Sequence, residues 1–443
     1  MIKAYFNRQD GHMQEVMKGA SSALVIRVFG TLLGFAVSVV IARLLGAEGS
    51  GIYYLALSVA TIAATIGRVG FDNTVVRFIA SHASVNEWSS VRFVYQTAIK
   101  VIALSSMLIS LILFFSADWM ASVFFEKPYM ELPFRLAAVA VLPLSLVMIQ
   151  AQSLRGLKKI PASQWIQTVL ISFGTLLLLY PLVGMWGANG AVASYVFSVV
   201  ITSFVARVLW RKAVSATNGI DTNIHNTLTM WPLFKSSWPL FGVAITSMVM
   251  QHAATIFLGV WGSPEEIGVF NVANRVASLL LFPLMAMITI LAPKFAAMHR
   301  QSDLNGLKRL AHSSSKMLTL SAVPVAIIVA FFAEGILSLF GSDFSDGAWV
   351  LIILLAGVVI NAITGAVANL LMMSGHEKVV RNITILVSLL ILVMHTLLIP
   401  RYGMVGAAIV TSVGMLIQNM AMAWMVQRYL GFFPISISQE SHL

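Results

Sequence analysis

The sequence predicts an all-α integral membrane protein of about twelve transmembrane helices in two pseudo-symmetric six-helix lobes. Three observations carry that expectation: an apolar composition, a consistent sidedness of the basic residues, and an internal repeat. Of the 443 residues, 58% are hydrophobic and 10% charged, against about a quarter charged in a soluble domain. So few polar side chains cannot coat a water-facing surface, so lipid must be the main solvent. With 0 cysteines, disulfides and thiolate metal centres are excluded. The net charge of +11 raises nucleic acid as a partner. The Lys and Arg are scattered through short connections between apolar runs, however, and no nucleic-acid partner is expected.

In chain order, Met1 to about Gly19 is polar and mildly basic. The run from Ala20 to Leu45 is too long for a signal-peptide core and reads as an uncleaved first span. Apolar runs of roughly twenty residues are long enough to cross the hydrocarbon as helices. They fall at 20–45, 51–67, 96–116, 135–153, 163–184 and 188–210, then at 237–260, 267–292, 317–340, 348–373, 381–400 and 404–427. The lobes accordingly divide at 1–215 and 216–443. Lipid offers no hydrogen bonds, so each span must be helical unless it lines a cavity or packs on protein. Pro143, Pro239, Pro283 and Pro324 lie in or beside spans and can kink them.

Orientation follows from charge. One set of alternate connections carries Lys3, Arg8, Lys18, Arg68, Arg77, Arg92, Lys100 and Arg155, continuing through Arg207 and Arg211 to Arg428. The other holds only Arg43, Lys127, Arg135 and Arg401, and collects acids such as Glu48, Asp118, Glu265, Glu266, Glu334 and Asp343. The positive-inside rule then places both termini in the cytoplasm and requires an even number of spans.

The halves also resemble each other at an offset of about 217 residues. "LLGAEGSGIYYLALSVA" around Gly51 echoes "LGVWGSPEEIGVFNVAN" around Gly268, and "SLRGLKKIPASQW" echoes "LMMSGHEKVVRN". The turn at Gly187 and Gly190 matches that at Gly403 and Gly406. Six spans return the chain to its starting side, so the repeat is parallel, with an expected pseudo-twofold axis along the membrane normal.

Polar stripes mark the candidate cavity, because a polar helix face in a membrane points at protein or water. Tyr54, Ser58, Thr61, Thr65 and Arg68 lie on one face of span two; Asn271, Asn274, Arg275 and Ser278 share a face of span eight. Span one offers Arg27, Gly30, Thr31, Gly34 and Ser38. Span seven offers Ser247, Gln251 and Thr255, with His252 beside them, and span ten offers Asn361, Gly365 and Asn369. The competing account is helix packing, for which small and hydroxyl residues are equally suited. Arg27 and Arg275 are the basic residues well inside spans, each about 10–12 Å from a helix end. Either they snorkel to the interface, or they grip an anion such as phosphate bidentately. Arg77 and Arg155 are candidates for a cytoplasmic-side entry, with enforcement of topology as the simpler role for Arg155 and its neighbours.

Several segments resemble the polysaccharide and O-antigen repeat-unit flippases of the multidrug/oligosaccharidyl-lipid/polysaccharide (MOP) exporter superfamily. The strongest runs from Val40 to Ala80, "VIARLLGAEGSGIYYLALSVATIAATIGRVGFDNTVVRFIA"; "QSLRGLKKIPASQW" and "RYGMVGAAIVTS" add to it. The resemblance covers nearly the whole chain. It implies a MOP/MATE-like fold and alternating access through a cation-lined cavity, with Arg27 and Arg275 as cavity cations and Arg77 at a family position. It implies an undecaprenyl-pyrophosphate-linked oligosaccharide as cargo, a monomer in the bacterial cytoplasmic (inner) membrane, and polysaccharide polymerase machinery nearby. No cofactor or metal is expected. The alternative is an ion-coupled multidrug exporter of the same fold, which needs a carboxylate inside a lobe. An enzyme acting on lipid-linked sugars would need paired acids on a large outer loop. The longest such connection, about 117–134, carries Asp118, Glu126 and Glu131 without a convincing partner.

Overall fold

The computed structural model describes residues 2–215 and 229–434. The expected start of the second lobe at 216 and the tail beyond 434 lie outside the described residues. Among those described, every regular element is helical. The first half comprises α1 (Ile2–Gly67), α2 (Phe71–Ser84), α3 (Trp88–Phe115), α4 (Glu131–Gly156) and α5 (Ile171–Ser215), the last preceded by a π-helical turn at Trp165–Leu170. The second comprises α6 (Met230–Trp261), α7 (Pro264–Leu279), α8 (Phe282–Arg300), α9 (Leu304–Phe331), α10 (Ala348–Thr364), α11 (Val367–Met373) and α12 (Glu377–Leu430). Eight helical segments of the described residues are long and apolar enough to cross a membrane.

Four of these segments contain a glycine in a backbone conformation that L side chains rarely adopt: Gly46 (φ 65), Gly187 (φ 57), Gly365 (φ 71) and Gly403 (φ 51). Such a φ costs other residues about 1–2 kcal/mol and glycine almost nothing. At two of them the chain doubles back. Within α5, the Ser198 hydroxyl donates to the Ile171 carbonyl (2.7 Å) and Gly174 lies against Ser198; a straight helix would hold Gly174 and Ser198 about 36 Å apart. Within α12, Gly414 packs on Ile391, and the Gln418 amide donates to the Thr384 hydroxyl (3.3 Å). The spans expected at 163–184 and 188–210, and at 381–400 and 404–427, are therefore the legs of two hairpins.

Two expectations are corrected. The single span expected over 267–292 is two helices, α7 ending at Leu279 and α8 starting at Phe282. Pro283 lacks an N–H and fits the first turn of a new helix better than the middle of an old one. The expected stripe Asn361, Gly365, Asn369 is interrupted, because Gly365 adopts φ 71 between α10 and α11.

The repeat is written in the backbone as well as in the sequence. Left-handed φ values recur at Asn86 and Ser302, at Lys158 and Gly375, and at Gly187 and Gly403, each pair separated by about 217 residues.

The chain forms two compact units. Met1–Leu45 with Leu55–Met248 make the first, and Gly46–Tyr54 with Val249–Leu443 make the second. Phe71, Ile79, Ile102, Phe134 and Ile149 are fully buried in the first; Phe295, Leu307, Phe340, Phe344 and Leu371 are fully buried in the second. The second contains a reciprocal contact. Gly51 stands against the Pro264 backbone, and Gly268 stands against the Ala47 backbone. Each pair becomes the other under the repeat offset of about 217 residues.

Glu266 ties two helix ends together. Ser263 and Glu266 form a capping box on α7, in which the Ser263 N–H donates to Glu266 Oε2 (3.1 Å) and the Glu266 N–H donates to Ser263 Oγ (3.3 Å). Glu266 Oε1 also accepts from the Met404 N–H (3.3 Å) beside the Gly403 turn. Glu266→Ala should therefore destabilise the protein by about 1–2 kcal/mol, read as a lower melting temperature of the purified chain. An unchanged melting temperature would refute that role.

Candidate functional site

The polar stripe of α1 divides when its contacts are traced. Thr61 Oγ1 donates to Leu57 O (2.7 Å) and Thr65 Oγ1 to Thr61 O (2.9 Å), so these hydroxyls are spent on their own helix. Tyr54, Ser58 and Thr65 are buried, and Tyr54 packs edge-on against Tyr53 at 5.4 Å. Earlier in α1, Gly30 lies against Thr168 of the π turn, and Ser38 is buried with its hydroxyl on Gly34 O (3.1 Å). Arg27 is exposed.

Arg68 is 8% exposed and already satisfied. Its Nε meets Asp72 Oδ2 at 2.9 Å and its Nη2 donates to Thr65 Oγ1 at 3.0 Å. The pair brackets the turn from α1 to α2, where Val69 (φ 48) and Gly70 (φ 74) take left-handed conformations and Gly70 abuts the Ser237 and Phe241 backbone. A β-branched residue at positive φ is strained, so the ion pair holds a strained corner closed. Arg68 thus has its own counter-ion. Among the described residues, neither Arg27 nor Arg275 forms an ion pair.

In the second unit the structure brings α6 and α7 together through the candidates themselves. The buried Thr255 donates to Asn271 Oδ1 (3.2 Å), and Asn271 Nδ2 donates to Ile267 O (2.8 Å). Asn271 therefore locks two helices. The exposed Ser278 turns its hydroxyl onto Asn274 O (2.7 Å). Asn274, Arg275 and His252 are half-buried, and Gln251 is exposed. What remains on α7 for an incoming group is the Arg275 guanidinium flanked by Asn274. A half-buried guanidinium without a carboxylate partner suits a phosphate or carboxylate ligand, which it can meet with two parallel N–H bonds.

The entry candidates part company. Arg77 Nη2 donates to Ser236 Oγ (2.9 Å), and its guanidinium lies over the Phe78 ring at 5.1 Å. Arg77 shares with Lys235 and Pro239 an open cleft of about 510 Å³. Arg155 is exposed at the last turn of α4 and does not line that cleft. Arg68 and Asp72 stand four residues apart in the sequence. The four-residue spacing that lets the two meet on adjacent turns was the available signal.

Residues 16–299 match the family described as polysaccharide biosynthesis protein, and residues 239–397 match the MatE family. A Haloferax volcanii protein assigned as a low-salt glycan biosynthesis flippase is 20% identical over 410 residues, covering 90% of this chain and 80% of the relative. A Shigella flexneri protein assigned as an O-antigen transporter is 21% identical over 402 residues, covering 88% and 92%. Among solved structures, an inward-facing multidrug resistance MATE family transporter of the MOP superfamily superposes with TM-score 0.72 at 16% identity, covering 93% of this chain and 98% of that one. The lipid II flippase MurJ in an inward closed conformation gives 0.71 at 14% identity, covering 91% and 87%. The fold is that of these transporters.

Proposed function

The chain belongs to the polysaccharide biosynthesis protein family, and from that premise we propose that it is a flippase for lipid-linked oligosaccharide. The cargo is a polyprenyl-pyrophosphate-linked glycan, and the chain moves it from the cytoplasmic to the outer leaflet by alternating access through a cationic cavity. The observation that carries this reading is the half-buried Arg275 on α7, which has no acidic partner among the described residues. Arg27, exposed on α1, is the second candidate cation. Relatives assigned as a glycan flippase and an O-antigen transporter support the same substrate class. The lipid tail stays in the bilayer while sugar and phosphates pass. With both termini cytoplasmic, a cargo of about two negative charges gains roughly 4–5 kcal/mol from a potential of about 100 mV, positive outside. The chain acts as a monomer in the cytoplasmic membrane and hands cargo to polysaccharide polymerase machinery.

The MatE match favours a second reading, an ion-coupled multidrug exporter. Against it stands the pairing of Asp72 with Arg68, since an ion-coupling carboxylate must be free to exchange its cation. Proteoliposomes separate the two. The flippase reading expects a fluorescent prenyl-pyrophosphate oligosaccharide to become accessible to an impermeant reagent in the far leaflet at least ten times faster than in protein-free vesicles, with no movement of cationic dyes. Dye efflux with a stationary glycolipid would overturn it.

A further inference from the structure

Apart from the candidate site residues above, the first unit holds a cavity of about 750 Å³ among α3, α4 and α5. It is built from three helical stripes. On α3, Arg92, Gln96 and Lys100 recur every four residues; on α5, Val200, Phe204, Arg207 and Arg211 are spaced four, three and four apart; on α4 the stripe runs from Val139 through Leu142 and Leu146 to Gln150. The arginines gather toward one end, although Ile99, Ser203 and Trp210 also stand among the lining residues. Arg92 lies within the first two turns of α3, and Arg207 and Arg211 within the last turns of α5. The wall formed by Leu142, Leu146, Val200 and Phe204 lies deeper, so head and tail ends are about 15 Å apart. Arg92, Arg207 and Arg211 line the end near the helix termini, Lys100 stands about three turns into α3, and no carboxylate is among the lining residues.

Two features show that the polar end is built rather than incidental. Tyr95 stacks on the buried Trp210 at 4.1 Å with an interplanar angle of 17°, within electrostatic reach of Arg207 and Arg211. Gln150 is 3% exposed and lines the cavity; its side-chain amide meets the Tyr95 hydroxyl, while its Oε1 has no hydrogen-bond partner among the described residues. A buried acceptor of this kind calls for a donor.

We propose that this cavity binds one anionic phospholipid of the surrounding bilayer, its phosphate on Arg207, Arg211 and Lys100, a headgroup hydroxyl on Gln150, and an acyl chain along the Leu146–Phe204 wall. The charge sorts the ligand: a cationic end at the level of the helix termini meets phosphate, and the deeper apolar wall meets hydrocarbon. A zwitterionic head brings a cation into a cluster of cations and is rejected. The site is separate from the cargo route, because none of Arg27, Arg77, Asn274 and Arg275 lines it.

The test uses the full chain in detergent, with phosphatidylglycerol and phosphatidylcholine of identical chains as probes and native mass spectrometry as the readout. One phosphatidylglycerol is expected to remain bound where phosphatidylcholine is shed, and Arg207→Gln with Arg211→Gln should weaken it at least ten-fold. Arg207→Lys with Arg211→Lys should restore most of that binding, which separates loss of charge from loss of fold. Gln150→Leu should reduce the preference for phosphatidylglycerol over a phosphatidic acid lacking the hydroxyl. Equal retention of both phospholipids would overturn the proposal, as would binding indifferent to the arginine substitutions. Displacement of the lipid by equimolar inorganic pyrophosphate would assign the pocket to a free anion instead. Retention of a prenyl pyrophosphate alone would assign it to the cargo. Either result defeats the phospholipid site.

Discussion

Arg275→Ala is expected to abolish export while leaving membrane insertion and melting temperature near those of the parent. The reasoning starts from what the side chain touches. Arg275 is half-buried on α7 and forms no ion pair among the described residues, so its removal breaks no internal bridge and leaves no carboxylate stranded. A charge-assisted bond to phosphate is worth about 1.5–3 kcal/mol, which corresponds to roughly ten- to a hundred-fold in cargo affinity. Arg275→Lys should keep part of the activity, because an ammonium supplies the charge without the planar fork. Arg68→Ala should behave differently: it strands Asp72 beside the strained Val69–Gly70 corner, and its first effect is lost stability. The measurement is paired, with complementation of a flippase-deficient strain beside a melting curve for each variant. Full complementation by Arg275→Ala would remove the anion-site role.

The contrast between these arginines shows how far the sequence could be read. Hydropathy marked the long apolar stretches that are helical, and the repeat marked the turn glycines at Gly187 and Gly403 as corresponding positions, because those signals are local or periodic. The break before Pro283 was harder to see. The apolar run continues through it, and only backbone hydrogen bonding distinguishes one long helix from two. Arg68 and Arg275 look alike in one dimension, each a basic residue on a polar helical face. What separates them is a partner: Asp72 lies one turn from Arg68, whereas among the described residues no acid pairs with Arg275. Likewise, Arg92, Lys100, Arg207 and Arg211 were counted as determinants of topology. Their convergence on one cavity depends on which helices become neighbours, and hydropathy does not encode neighbours. Asn271 and Thr255 were legible as polar and as lying on their faces. That they spend their polarity on each other is a property of the α6–α7 packing.

The second large effect concerns the reciprocal glycine contact. At Gly268 an added Cβ would occupy the place of the Ala47 carbonyl oxygen, and at Gly51 that of the Pro264 carbonyl. Both obstacles are backbone, so they cannot swing aside as a side-chain end can. Gly268→Val should force α7 away from the Ala47–Gly51 stretch of α1, at an overpacking cost of about 1–3 kcal/mol, and should reduce export strongly. Because the two contacts interchange under the repeat, Gly51→Val should act alike. The double variant should cost less than the sum, since the first substitution already parts the surface that the second would disturb. A readout independent of activity is at hand, as the chain has 0 cysteines. Ala47 is 2% exposed, so a cysteine introduced there should resist a maleimide in the parent and be labelled once Gly268→Val is added. If alternating access requires this contact to form in one state and open in the other, a cost of about 1.4 kcal/mol shifts the balance ten-fold toward the open state. Labelling should then rise by a similar factor. Strictly additive losses of stability, with Ala47→Cys still protected, would show that the two glycine contacts are independent packing details and not the two sides of one joint.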